Sequence, residues 1–554
     1  MLTALVISPI VFGIIVYMIP NRYRWGNNLA RVLVLLAQVI LLVSSAYLVY
    51  LTRGGSITEN IGGFTSVLGI SLEVDSVSAV FILLTTLLFF VAAVYSFSHN
   101  VEKKKNDEAD VKKKGRTGLF WFVFFVWQAA LLGIFLTRDM FNVFVLMELS
   151  TIVVAVMIMY NRNDRSMYDG MIYLMMNIVA VQFYLFGLGY VYMLTGTLDM
   201  VAAAERLAYI DRTQYFLPYA LIMTSLTFKC ALMPMYSWLP KAHGTPGAPS
   251  AVSAILSGLH IKSGIYMLIR IGSIFPDVST SQFFIVLGAV TAVAGIVFAL
   301  SQIDIKLILA YSTIAQVGLI IISLNLGNAY GNIGGLYHVI SHAIAKAALF
   351  LASGLLIHVF KNRDIRVMSG VFRRMPLVGV GMGLAILGIT GAPLFGGSMS
   401  KYFMSSGSEG LLFWLFIIIN LGTILVFFRF CGTLFSKVPK YKKLEPVRID
   451  RLKSGAVFTL GLLCFVGGIW GEAIIQYLFN TYEIVNIGDY FGKAGIFLTS
   501  WIVGYFIYKK FFAADNRLDK IFVKLRGFEM GFRAACVSIG VYFGVFIIIV
   551  RILN

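Results

Sequence analysis

Sixteen runs of some twenty apolar residues, each closed by charged or turn-forming residues, divide this chain from end to end. A helix crossing the hydrocarbon core of a bilayer needs about 20 such residues, and inside that core the backbone must satisfy its own hydrogen bonds. The runs fall near 2–20, 29–51, 75–98, 118–136, 141–160, 168–195, 214–238, 248–270, 280–301, 305–325, 331–359, 375–405, 411–435, 454–478, 491–510 and 530–552. The expected fold is an all-α polytopic membrane protein with about 16 transmembrane helices. Of the 554 residues 59% are hydrophobic and only 13% charged, which leaves no room for a soluble catalytic domain. The first twenty residues, MLTALVISPIVFGIIVYMIP, lack the basic region and small-residue cleavage site of a signal peptide and read as the first span.

A formal net charge of +19 would point to nucleic acid on a soluble chain. Here the positions of the charges argue otherwise. With the spans alternating in direction, one set of connections holds 33 of the 45 Lys and Arg, including the basic runs at 103–116 and 437–453, and the opposite set holds 7. Basic residues collect in cytoplasmic loops. Both termini are therefore expected outside a prokaryotic cell (inner) membrane, with the basic excess marking topology and lipid contact and no nucleic-acid partner. Lys241 and Lys306 count as cytoplasmic loop residues on this scheme, and Arg429, two turns from the cytoplasmic end of its span, is expected to snorkel. Cys230, Cys431, Cys464 and Cys536 stand singly in apolar runs, without metal or haem spacing, and read as buried thiols. No metal, haem or other cofactor is expected.

Charges inside spans are the informative residues, because an ion near the bilayer centre costs several kcal/mol and persists only with a partner, a wet cavity or a function. Glu148 lies mid-span in FNVFVLMELSTIVVAVMIMY, Lys229 in LTFKCALMPMYSWLP, Lys262 in LSGLHIKSGIYML and Lys346 in HVISHAIAKAALF, while Lys401 follows GAPLFGG. One such lysine is readily a structural ion pair. Four lysines and a glutamate at similar depth point instead to ion movement. His338, His342 and Lys346 recur at i, i+4 and i+8, which stacks them on one helix face as a proton relay or hydrated path. His260, two residues from Lys262, points to a different side of its helix. Two spans are interrupted by their own sequence: Pro234 follows Lys229 by five residues, and Gly391, Pro393, Gly396 and Gly397 break the twelfth span just before Lys401. In transporters such breaks line cavities and mark ion sites.

The stretches KCALMPMYSWLPKAHGTPGAPSAVSAILSGLHIKSGIY (229–266), KLILAYSTIAQVGLI (306–320), HVISHAIAKAALFLASG (338–354) and GAPLFGGSMSK (391–401) resemble the antiporter-like subunits shared by respiratory complex I, Mrp cation/proton antiporters and energy-converting membrane hydrogenases. The resemblance spans roughly residues 75–475. It implies a 14-helix core with two inverted five-helix repeats, each holding a broken helix. The implied division is 1–117 for helices 1–3, 118–275 and 276–436 for the repeats, and 437–554 for helices 14–16. By the same resemblance Glu148 is the essential glutamate and Lys229 its paired lysine. Lys262 is then the central bridging lysine, His338, His342 and Lys346 form the hydrated axis, and Lys401 is the terminal lysine of the second repeat. Asp139 stands in a family-like position before the glutamate helix. Lysine at 401 departs from the M-type chain of complex I, and the short connection from Lys509 to Gly531 departs from the long lateral helix of the L-type. The D-type component of Mrp antiporters and its hydrogenase counterpart are left as the most similar relatives.

These readings converge on a proton- or cation-translocating subunit of a multi-subunit complex. Protons would pass along a midplane row of Lys, His and Glu, coupled to Na+/H+ antiport or to redox chemistry in partner membrane subunits. The chain would carry no catalytic or redox site of its own, even as part of an oxidoreductase. Two other classes stay open at this level: a quinone- or haem-binding redox membrane subunit and a stand-alone solute symporter. The lack of a haem ligand set or nucleotide fingerprint counts against the first. The lysine row, which suits small ions better than an organic solute, counts against the second.

Overall fold

The computed structural model describes residues 1–20, 23–64, 69–97, 109–276, 278–435, 450–481, 483–512 and 517–554, with the side chains of 24, 109–116 and 517–521 left aside. Most of the basic runs at 103–116 and 437–453 lies outside the described residues. The chain opens with α1 (Leu2–Met18) and α2 (Arg24–Leu51), followed by an antiparallel hairpin of β1 (Ile57–Asn60) and β2 (Ser71–Val74) in which Ile57 pairs with Val74. Then come α3 (Ser76–Phe97), α4 (Ala109–Leu136), α5 (Met140–Ile158), α6 (Asp164–Thr195), α7 (Met200–Leu207), α8 (Arg212–Lys229), α9 (Trp238–Gly244), α10 (Ser250–Ile255) and α11 (Ile261–Gly272). The next stretch holds α12 (Ser281–Ser301), α13 (Ile305–Leu324), α14 (Ala329–Phe360), α15 (Val371–Arg374), α16 (Pro376–Thr390), α17 (Gly396–Ser406) and α18 (Gly410–Phe435). The chain ends with α19 (Arg451–Ile469), α20 (Gly471–Phe479), α21 (Ile487–Phe511), α22 (Arg517–Arg526) and α23 (Phe532–Leu553).

Thirteen helical segments among the described residues are long and apolar enough to cross a membrane. The expectation of about sixteen is therefore not met by length and composition alone. All sixteen apolar runs are helical, but α1 has 17 residues, α16 has 15, and α8 has 18 with a polar first turn. Two of these three, α8 and α16, are the first halves of the interrupted spans. The breaks themselves shorten the continuous helix.

Eight helix starts share one chemical device. Asp139, Asn163, Asp199, Asp211, Asp304, Asn328, Asp450 and Asn486 each accept a hydrogen bond from a backbone N–H in the first turn of α5, α6, α7, α8, α13, α14, α19 and α21. Each satisfies donors the helix cannot pair internally. Asp139 is thus a cap, bonded by Asn142 N at 2.6 Å. The opposite need, for donors at a helix end, is met at α12: Arg429 donates to the carbonyls of Leu300 at 2.8 Å and Gln302 at 2.5 Å, and Arg526 to that of Ser301 at 2.5 Å. Arg429 therefore caps a neighbouring helix through the Leu300 and Gln302 carbonyls, while Arg526 takes the third. Of the cysteines, Cys230 and Cys464 are buried thiols as expected, whereas Cys431 and Cys536 are only half-buried.

The chain forms two compact units. The first comprises 1–230, 245–279 and 536–554, and the second 231–244 and 280–535. Within the first, the segment Ser250–Gly272 is 94% buried along its most apolar window, while the closing helix α23 is 22% buried. Helix α23 packs on α8 through Tyr542, whose hydroxyl donates to Thr227 Oγ1 at 3.2 Å, and through Phe546 against Tyr219. Within the second unit, α13 is 89% buried and α21 only 17%. Helices α12 and α13 approach through Gly288, Gly295 and Gly318, where an added methyl would come within 2.8 Å of opposing backbone atoms. This is the close contact small residues permit between membrane helices.

Candidate ion-translocation site

In the first unit the candidate side chains gather around Lys229. It is the last residue of α8, with a buried side chain, and the helix cannot continue because Ala231 adopts a left-handed φ of 52° and Pro234 follows in the turn. The ammonium donates to Thr151 Oγ1 of α5 at 2.6 Å and to Asn177 Oδ1 of α6 at 3.0 Å. Glu148 stands three residues before Thr151 on α5, so both lie on neighbouring positions of one helix face. No ion pair joins Glu148 to Lys229 among the described residues, and the two charges act on each other through space. Glu148 Oε1 is buried without a hydrogen-bond partner among the described residues.

Two further helices close the cluster. Tyr173 of α6 is fully buried and its hydroxyl shares a 3.1 Å hydrogen bond with His260 Nε2, whose ring lies edge-on to Trp127. Helix α11 passes Lys229 at Gly264, where a Cβ would stand 3.0 Å from the lysine Cβ. Lys262, two residues earlier and fully buried, donates to the Ser257 carbonyl across a single π turn at Leu256–His260. Single π turns of this kind occur frequently at functional sites.

In the second unit, Lys346 of α14 is fully buried, donates to the Leu309 carbonyl at 3.0 Å and to the Ser312 hydroxyl of α13, and lies 5.4 Å from the Phe427 ring centre. His338, two turns earlier, bridges two helices: Nε2 is 2.9 Å from Gln316 Oε1 of α13 and Nδ1 is 2.8 Å from Ser400 Oγ of α17. Gln316 continues to Thr423 of α18 at 3.0 Å. The buried His342 ring sits 6.1 Å from that of His338. Lys401, next to Ser400, donates to the Ile389 carbonyl at the end of α16 at 2.8 Å and to Asn420 Oδ1 of α18 at 2.6 Å. The break makes this possible. Gly391 closes α16 at φ 84°, and a Cβ there would stand 2.8 Å from Lys401 Cδ.

The acceptors were not legible from spacing: Thr151, Asn177, Ser312, Gln316 and Asn420 are ordinary polar residues in apolar runs. Two lysines assigned to cytoplasmic loops are buried instead. Lys306 is 5% exposed at the start of α13, beside the Asp304–Arg363 ion pair of 2.8 Å, and Lys241 is 9% exposed on α9. Helix α9 also buries His243, stacked on Phe350 at 4.5 Å. Lys306 lies not in the three-residue connection but inside α13, a helix 89% buried along its most apolar window.

A constant shift of 165 residues maps Asp139 to Asp304, Asn163 to Asn328, Gly196 to Lys361 and Asp199 to Asp364. The elements follow. Asp139 bridges Asp199 as Asp304 bridges Asp364, α6 and α14 are both 32 residues long, and Gly196 and Lys361 both end their helices in the left-handed conformation. The same shift carries Tyr173 to His338 and Asn177 to His342.

Residues 137–427 match the family described as NADH:quinone oxidoreductase/Mrp antiporter, transmembrane. The chain belongs to this family. Among similar curated members, the N-type component of the NADH-quinone oxidoreductase of Desulforudis audaxviator is 31% identical over 82% of this chain and 93% of its own length. The D-type component of the Na(+)/H(+) antiporter of Alkalihalophilus pseudofirmus is 28% identical over 72% and 79%. The fold matches a chain of the Mrp complex from Dietzia sp., with a TM-score of 0.77 at 22% identity, covering 91% of this chain and 98% of that one. It matches a chain of an archaeal membrane-bound sulfane sulfur reductase with the same TM-score and identity, covering 91% and 99%. The family match encloses Glu148, Lys229, Lys262, His338, His342, Lys346 and Lys401. Helices α21 and α23 lie beyond it.

Proposed function

We propose that this multi-pass membrane protein is an ion-translocating subunit of an Mrp-, hydrogenase- or complex I-like assembly, moving protons or Na+ by shifting charge between buried amines and Glu148. The observation that carries the proposal is the state of the Glu148–Lys229 cluster. The ammonium rests on Thr151 and Asn177 while a carboxylate oxygen on the same helix face stays unpaired. One ammonium therefore has two competing seats, one neutral and one anionic. Hydrogen bonds to a charged group contribute about 1.5–3 kcal/mol, and moving one charge through 100 mV takes about 2.3 kcal/mol. The two quantities are close enough for a membrane potential, or a charge displaced in a partner subunit, to tip the seat.

Lys229 releases its proton when the carboxylate no longer faces it and recovers it when the pair reforms. Lys262 on one side, and the His338, His342, Lys346 and Lys401 series in the second unit, supply further stations of the same chemistry. The 165-residue correspondence supports reading 118–275 and 276–436 as repeats, which the resemblance makes inverted, and the basic asymmetry of the loops supports both termini outside. Family membership and the basic asymmetry of the loops support a place in a prokaryotic cell membrane among other membrane subunits, without nucleic acid. The test is Lys229→Ala and Glu148→Ala in the intact complex reconstituted into vesicles: both abolish coupled ion transport while the complex still assembles. Wild-type transport from either correctly assembled variant overturns the proposal.

A further inference from the structure

Helix α21 lies beyond the family match, yet its first two turns grip the broken segment that carries Lys401. Asn486 N donates to Tyr402 Oη at 3.1 Å, and Tyr490 Oη accepts from Leu394 N at 3.0 Å and lies 2.7 Å from Ser398 Oγ. Lys493 donates to the Tyr402 carbonyl at 3.2 Å and to the Ser406 hydroxyl, with its ammonium 4.5 Å from the Tyr402 ring centre. A cavity of about 80 Å³ lies between these groups, lined by Lys401 and Asn420 on one side and Tyr490, Lys493 and Ala494 on the other. A water needs only about 10–15 Å³ of such space, so the cavity has room for several molecules.

Two amines thus face one small cavity, and neither has a carboxylate in ion-pair contact among the described residues, although Asp489, one turn before Lys493 on α21, acts on it through space. Two ammonium groups lining one cavity repel, and one proton shared between them lowers that cost. Lys493 lies in the second turn of α21, close to the helix end, whereas Lys401 follows the mid-span break.

We propose that Lys493 is a further ion-carrying residue, the last station between Lys401 and the water outside, with α21 as the wall of the exit cavity. A proton leaves Lys401 Nζ, crosses on cavity water and binds Lys493 Nζ, so that one amine becomes neutral as the other becomes charged. Lys493 then releases it to the outer surface. Tyr490 and Asn486 hold the break so that the cavity stays open between the two amines. This inference rests on the function proposed above.

The test compares Lys493→Met and Lys493→Arg in the intact complex reconstituted into vesicles, with assembly checked by size-exclusion chromatography. Arginine keeps the charge and the hydrogen bonds but does not give up its proton. A carrier predicts at least tenfold slower proton transport in both variants. A hydrogen-bonding post predicts loss in Met and rescue by Arg, and that result, like wild-type rates in both, overturns the inference. A second measurement is independent of Lys493. In a background with the four native cysteines replaced, Ala494→Cys is modified by a charged, membrane-impermeant thiosulfonate added outside, and transport by the same vesicles is compared before and after. A tenfold or greater loss is expected, and unchanged transport, or modification only from inside, overturns the inference. Lys229→Ala run in parallel separates the two claims: if it abolishes transport while the Lys493 and Ala494 experiments show no effect, only the exit assignment fails.

Discussion

Replacing Thr151 by valine exchanges its hydroxyl for a methyl and keeps the branched shape. The hydroxyl donates to the Met147 carbonyl at 2.8 Å and accepts from the Lys229 ammonium at 2.6 Å, leaving Asn177 at 3.0 Å as the remaining neutral acceptor. A hydrogen bond to a charged group is worth about 1.5–3 kcal/mol, and each 1.4 kcal/mol is about a factor of ten. The neutral seat of Lys229 therefore loses between about tenfold and a hundredfold in population relative to the seat beside Glu148. A carrier held in the ion pair is slow to pass its proton on, so coupled transport falls by at least about tenfold. The assay is proton or Na+ flux in vesicles containing the intact complex, with Thr85→Val as the control. Thr85 is equally buried and, among the described residues, bonds only the Phe81 carbonyl of its own helix. Transport within twofold of wild type in Thr151→Val, with the control also normal, refutes the two-seat reasoning.

Gly391→Ala forces a left-handed backbone on a residue with a Cβ, at about 1–2 kcal/mol, and drives that Cβ into the Lys401 side chain 2.8 Å away. A lowered melting temperature together with lost transport is expected, and an unperturbed melt contradicts the packing. Tyr542→Phe and Thr227→Val each remove one partner of an interhelical hydrogen bond. A double-mutant cycle on thermal stability should return a coupling of about 0.6–1.7 kcal/mol, and zero coupling means α23 does not hold α8 through this contact. Asp75 is pushed up by burial, but its hydrogen bond and charge contact with Arg270, at 2.5 Å, and its bonds to Ser78 more than offset this, so its carboxyl titrates below the usual range. Its stabilising contribution is complete above the ordinary carboxylate range and is lost as pH falls through the lowered value. Asp75→Asn should lower the melting temperature at pH 7 and lose the matching acid-side decline in a pH series of melts. An unchanged acid limb counts against that pairing.

The apolar runs made the helical class legible, because a bilayer leaves a chain of this composition no other way to satisfy its backbone. Glu148, Lys229, Lys262, Lys346 and Lys401 stood out as candidates for the complementary reason: a charge in lipid is costly. The i, i+4, i+8 spacing of His338, His342 and Lys346 fixed their common face, which needs only helix geometry. Distances across helices lay beyond any such rule. Thr151, Asn177, Ser312, Gln316 and Asn420 are unremarkable in the sequence, and they matter because α5, α6, α13 and α18 bring them within 3.0 Å of a buried amine or imidazole. Lys306 and Lys241 looked like loop residues because position along the chain says nothing about what packs over it. Periodicity and the cost of buried charge act locally and can be read one helix at a time. Which neutral oxygen receives an ammonium, and that Lys493 on α21 shares a cavity with Lys401, depends on contacts between distant segments that only the folded bundle creates.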